Sequence, residues 1–175
     1  ISFRDVSVFE MDYENEFDII FSWETFEHII NPREALVRIY KALKPGGIIF
    51  SQYNPFFCLS GGHSMCTLDF PFAHTFLTDE DFKKYVETVT PNDSPPKYAE
   101  LSYNFFTKNL NRMTQNNLKT YINDVGFELL EFMSSPDLSL LNLIDDSTLS
   151  SAKTIHPTLT LNDLLCSNVW FIGRK

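Results

Sequence analysis

The chain has 175 residues, 43% of them hydrophobic, which is enough for one domain with a buried core. Its net charge is -9 and no cationic run exceeds two residues, as at Lys83-Lys84, so its field repels phosphates and excludes nucleic acid as an expected partner. No apolar run reaches the length of a membrane-spanning helix, and three cysteines without a C-x-x-C pair point to reduced thiols in a cytoplasmic protein.

ISFRDVSVFE, residues 1–10, has period-2 apolar character at Phe3, Val6 and Val8 and predicts a strand. No signal peptide is visible, and a start at Ile1 rather than Met points to a processed chain or a fragment. MDYENE is acidic and aperiodic. FDIIFSW, residues 17–23, is a continuous apolar run led by Asp18, the pattern of a strand buried on both faces. Asn31 can cap a helix with Pro32 in its first position, and Leu36, Ile39, Tyr40 and Leu43 form one apolar face. Pro45-Gly46-Gly47 is expected to end that helix, and IIFSQYNP reads as a second buried strand. Strand, helix and strand in this order make a βαβ crossover and imply a parallel sheet.

Residues 55–77 mix aromatics, glycines, histidines and cysteines without a period. Thr78-x-x-Asp81 then signals a helix start, followed by Phe82, Tyr85, Val86 and Val89 at helical spacing. Residues 91–96 read as a polar loop. A third helix begins near Thr114, with Leu118, Tyr121, Ile122 and Val125 on one face and Gly126 where a terminating glycine belongs. FELLEFM and NVWFIGRK read as strands, with short helices and loops between them. The alternation makes the domain α/β.

The polar residues cluster where the first βαβ helix is entered. Glu24, Glu27 and His28 form E-x-x-E-H, and on a helical turn this spacing puts all three on one face. Two carboxylates and an imidazole can hold Mg²⁺ or Mn²⁺, or they can simply hydrogen-bond the helix entrance. Ser22 and Trp23 end a strand, and ligands in parallel α/β sheets sit at the carboxyl ends of strands. Trp23 is read as packing on a ligand or as a core residue beneath a cap. An imidazole ordinarily titrates near neutral pH, so His63 and His74 suit a general base, a further metal ligand or a structural role. Cys58, His63 and Cys66 lack the fourth ligand of a zinc site.

Met11-Asp12-Tyr13, FDIIFSWETFEHI, NPREAL and ALKPGGIIF together resemble the class I S-adenosylmethionine-dependent methyltransferases. LNRMTQNNLKTYINDVGFELLEF and NVWFIGRK resemble that family's late helix, glycine and strand and its closing strand. The resemblance implies a Rossmann-like sheet, mostly parallel with the last strand antiparallel, in one domain over residues 1–175 with an inserted substrate cap at 55–110. It implies S-adenosyl-L-methionine as cofactor. Asp12 would accept from the adenine amino group, Tyr13 would flank the ring, and Ser22 and Trp23 would line the same site. Methyl transfer to a small-molecule acceptor follows, a hydroxyl first, with His63 or His74 as base. E-x-x-E-H occurs in metal-dependent methyltransferases, which adds a metal on Glu24, Glu27 and His28. None of the six glycines lies in a G-x-G between strand and helix, so the family's cofactor loop is missing and the resemblance implies an N-terminally truncated enzyme. The rival reading is a degenerate, non-catalytic domain that acts by protein contact. Oligomeric state is not set by the sequence.

Overall fold

The cap and stripe around residue 31 act as their spacing predicts. In the computed structural model, which describes residues 3–61, 63, 68–90 and 98–175, helix α1 runs Pro32–Ala42. Asn31 Oδ1 accepts the Glu34 N–H at 3.2 Å, which satisfies one of the helix's orphan donors. The helix stops before Pro45-Gly46-Gly47, and strand β2, Leu43–Tyr53, begins at once. Leu43 pairs with Phe17 and Ile48 with Ile19, so residues 44–47 of β2 bulge out opposite Asp18 of strand β1, Phe17–Trp23. A bulge tolerates Pro45, whose missing N–H would break a regular ladder. A Cβ on Gly47 would come within 2.9 Å of the Lys44 carbonyl oxygen and 3.1 Å of Asp18's, so only glycine fits there. The Pro-Gly-Gly segment is therefore a bulge within the sheet, not a helix stop.

The remaining elements are α2 (Ala73–Phe76), α3 (Asp79–Val89), α4 (Tyr98–Lys108), α5 (Gln115–Val125), β3 (Glu128–Ser134), α6 (Asp146–Ile155), α7 (Leu161–Leu165) and β4 (Val169–Arg174). The sheet order is β1-β2-β4-β3, with β1 and β2 parallel and β4 antiparallel to both its neighbours. Three strands thus run one way and the last strand opposes them, as expected. Leu36 and Ile39 of α1 and Leu118 and Ile122 of α5 cover one face, packing with Ile49, Tyr53, Val169 and Phe171.

The other face is open at β1, which corrects the reading of FDIIFSW as doubly buried. Ile19, Phe21 and Trp23 alternate outward at 61%, 76% and 52% exposure. An apolar run alone cannot show which neighbours a strand has. Among the described residues β1 pairs only with β2, so it is an edge strand. The expected strand over residues 1–10 is also corrected. Val8–Glu10 is a 3-10 turn, with the Ser7 hydroxyl accepting the Phe9 N–H. Val8 and Met11 both reach the sheet core, a spacing of three rather than two. Residues 1 and 2 and the polar loop at 91–96 lie outside the described residues.

A second core is built from aromatic rings. Phe56, Phe57, Phe72, Phe82, Phe106 and Leu110 pack with Ala152, Leu159 and Leu164. The Phe82 and Phe106 rings stack at 3.9 Å and 3°. Residues 55–110 therefore do not close a core alone, because α6, α7 and the loop between them, among the short helices and loops expected before the last strand, complete it. Among the described residues no helix is long and apolar enough to cross a membrane.

Candidate functional site

The chain turns sharply where β1 ends. Glu24 takes a left-handed φ of +46°, and its N–H donates to Gln52 O at 3.0 Å and to Gln52 Oε1 at 3.2 Å. A 3-10 turn, Phe26–His28, follows. Phe26 anchors the turn in the sheet core, edge-on to Phe171 at 5.9 Å. Asn111 clamps it from the other side. Its Nδ2 donates to Phe26 O at 2.6 Å and to Ile29 O at 2.9 Å, and its N–H donates to Glu27 O at 2.8 Å.

This clamp holds Glu27 at 2% exposure. Its Oε1 accepts the Asn54 N–H at 3.4 Å, whereas Oε2 is buried with no hydrogen-bond partner among the described residues. Burial pushes the Glu27 carboxyl above the usual carboxylate range, against the pull of backbone N–H groups and of His28. His28 Nδ1 lies 2.7 Å from the Asn109 carbonyl oxygen. A carbonyl only accepts, so Nδ1 carries the proton, which in the neutral ring leaves the lone pair on Nε2. The His63 ring centres 4.9 Å from that of His28 and 5.9 Å from that of Phe105, on a backbone with φ of +54°. Burial, then the neighbouring His28, lower the pKa of His63. One ligand atom each from Glu27, His28 and His63 lies within 4.8 Å of the other two.

The other expected site residues fall elsewhere. Glu24 is exposed and is not one of the three groups brought together. The reversal of φ at Glu24 and the late start of the 3-10 turn break the continuous helical turn that would have aligned it. Ser22 is half-buried at the carboxyl end of β1. Trp23 beside it is neither a core residue nor capped. It stacks on Phe50 at 6.4 Å and meets Trp170 edge-on at 5.2 Å, on the open face. Asp12 and Tyr13 precede β1. Tyr13 packs edge-on to Phe17, the first residue of β1, at 5.0 Å. Strand β1 advances about 20 Å from Phe17 to Trp23 at ~3.3 Å per residue, so the structure does not bring Tyr13 and Trp23 together. His74 is 2% exposed, its Nε2 2.8 Å from Phe56 O and 3.1 Å from Cys58 O. Burial holds its pKa down to about 4, so the neutral ring donates to these carbonyls and ties α2 to the start of the insert. Cys66 lies outside the described residues.

Sequence reasoning missed Asn109, Asn111, Asn54 and Gln52, which hold the site's backbone and carboxylate. Asn111 serves distant carbonyls with its side chain, Asn109 and Asn54 act through main-chain groups, and Gln52 accepts from Glu24; contacts so far apart in the chain leave no periodic signal. A sulfonium cofactor would fit Trp23, Phe50 and Trp170, since a cation is attracted to aromatic faces. The chain offers no G-x-G backbone cradle beside them.

A family model described as methyltransferase domain matches residues 2–131. Phosphoethanolamine N-methyltransferase 2 of Caenorhabditis elegans is 40% identical over 54 residues, 30% of this chain and 12% of that protein. The matched stretch thus spans a small part of the curated relative. The solved structure of an S-adenosylmethionine-dependent methyltransferase from Mesorhizobium loti aligns with a TM-score of 0.52 at 11% identity, over 97% of this chain and 67% of that one. At that identity the likeness is one of fold. With the family matched over most of its length and the sheet of that fold in its structure, the chain belongs to the class I S-adenosylmethionine-dependent methyltransferases.

Proposed function

We propose that the protein transfers a methyl group from S-adenosylmethionine to the hydroxyl of a small-molecule acceptor at the carboxyl end of β1. The observation that carries this reading is the buried Glu27 carboxylate, with one oxygen unpartnered, beside the imidazoles of His28 and His63. The cofactor, when bound, supplies an electrophilic methyl on a sulfonium. What the chain must add is position and a base for the acceptor proton. Glu27 Oε2 takes that proton as the new C–O bond forms and the C–S bond breaks; its raised pKa makes it a better acceptor than a solvated carboxylate. His28 Nε2 offers a second lone pair next to it, and His63 closes the cluster from the insert.

Ser22 and Trp23 are assigned to the cofactor. Asp12 and Tyr13, at the amino end of β1, are assigned to the frame, and His74 to the scaffold of the insert. Residues 55–110, completed by α6 and α7, act as the substrate cap. Mg²⁺ or Mn²⁺ on Glu24, Glu27 and His28 is not part of this reading, because Glu24 stands outside the cluster.

A second reading, transfer to an amine, is favoured by the name of the C. elegans relative and by a net charge of -9, which attracts cationic acceptors. The protein should be incubated with methyl-labelled S-adenosylmethionine and a panel of small hydroxyl and amine acceptors. Label should appear on an oxygen acceptor, and Glu27→Gln should lower the rate at least ~100-fold, the span of a lost general base. Label on nitrogen alone would favour the second reading. Cofactor binding without transfer to any acceptor would replace both with a domain that acts by protein contact.

A further inference from the structure

We infer that Glu27, His28 and His63 form a binding site for one divalent first-row transition-metal ion, and that the ion fastens the insert to the turn after β1. Glu27 Oε2 is sealed from solvent and has no hydrogen-bond partner among the described residues, an arrangement that costs stability unless something fills it. His28 is already set as a ligand, because Asn109 O fixes its Nδ1–H and orients the ring. A carbonyl partner on the far nitrogen is the usual outer support of a metal-bound histidine. His63 reaches the same point from the insert on a left-handed backbone that a histidine adopts at some cost.

The donor set selects the ion. Two imidazoles and one carboxylate suit Zn²⁺, Fe²⁺, Co²⁺ or Mn²⁺, whereas Mg²⁺ takes oxygen ligands and keeps its water. Two donors bound to one such ion at ~2.1 Å are at most about 4.2 Å apart. The three ligand atoms now lie within 4.8 Å of one another, so the ion would draw them inward by a few tenths of an ångström or more. His63 belongs to the insert while Glu27 and His28 belong to the turn clamped by Asn111, so that contraction seats the insert on the sheet. Three protein ligands leave coordination positions open for water or for an acceptor hydroxyl, whose proton the ion would loosen, a role that replaces proton uptake by Glu27 Oε2 while the ion is bound. That last use rests on the methyl-transfer reading; binding of the ion does not.

The test is titration of Co²⁺ and Mg²⁺ into chelator-treated, tag-free protein, without cofactor or acceptor, read by visible absorption and calorimetry. One equivalent of Co²⁺ should bind with a ligand-field spectrum, and a tenfold excess of Mg²⁺ should not displace it. Glu27→Gln, His28→Gln and His63→Gln should each weaken Co²⁺ at least ~10-fold, with folding checked by circular dichroism, and Glu24→Gln should not. Unchanged affinity in folded His63→Gln, or equal competition by Mg²⁺, would overturn the site. Full methyl transfer in excess chelator, with Co²⁺ still bound by apo-protein, would remove only the catalytic use of the ion.

Discussion

His63 and His74 lie in the same insert and have opposite surroundings. His74 is sealed, and its Nε2–H is committed to the Phe56 and Cys58 carbonyls. His63 sits at a partly open seam on a left-handed backbone, its ring beside that of His28 and a ligand atom within 4.8 Å of one from the Glu27 carboxylate. A buried imidazole whose donor is used by main-chain carbonyls is a buttress. One that meets another imidazole and a carboxylate across two elements is in a position to meet a ligand. The pair shows that residue type does not separate scaffold from site, whereas the atoms facing the ring do.

Truncating each ring separates the two histidines most strongly. His74→Ala removes a donor from two carbonyls and leaves a hole beside Phe56, and should cost about 3 kcal/mol of folding stability in urea unfolding. The same change at His63 should cost under ~1 kcal/mol but depress methyl transfer. Equal stability losses in the two variants would erase the distinction.

A gentler change is acid. His74 in the folded chain has its pKa lowered to about 4, below its unfolded value, so its contribution is present above pH 6.5 and is lost as pH falls toward 4. His156 moves the same way, held down to about 4 by burial and then by the charge of Arg112. Glu27 works in the opposite sense. Its raised pKa favours the protonated folded state, so stability falls as pH rises through that pKa. Urea midpoints measured between pH 4 and 7 should therefore fall steeply in acid. The fall should be smaller in His74→Gln, and Glu27→Gln should flatten the neutral side. An acid loss of unchanged size in His74→Gln would contradict the assignment of that ring.

What the sequence disclosed follows the same division. Helices α1, α3 and α5 were legible because cap and stripe are local, within one or two turns of chain, as with Thr114 accepting the Asn117 N–H. The edge position of β1 was not legible, since FDIIFSW has the same composition whether or not a neighbour covers it. The aromatic core was illegible for another reason: Phe82 finds Phe106, and Phe56 finds His74, across stretches without a period. The site was half legible. E-x-x-E-H shows Glu27 and His28 side by side, but the exclusion of Glu24 from the cluster depends on a single φ reversal, and the clamp by Asn111 leaves no trace in spacing. The separation of Tyr13 from Trp23 was readable in principle, because Tyr13 shortly precedes β1 and Trp23 ends it.

That separation carries the sharpest test. The proposed position of the methyl donor is the carboxyl end of β1, against Trp23, and not the amino end, where Tyr13 packs on Phe17. Calorimetry of S-adenosylmethionine on the protein and its variants, without acceptor, reads this directly. Trp23→Ala should weaken binding at least ~10-fold, the loss of a cation–π and stacking wall, and Asp12→Ala should leave it unchanged. Loss of binding in Asp12→Ala with Trp23→Ala unaffected would contradict the account.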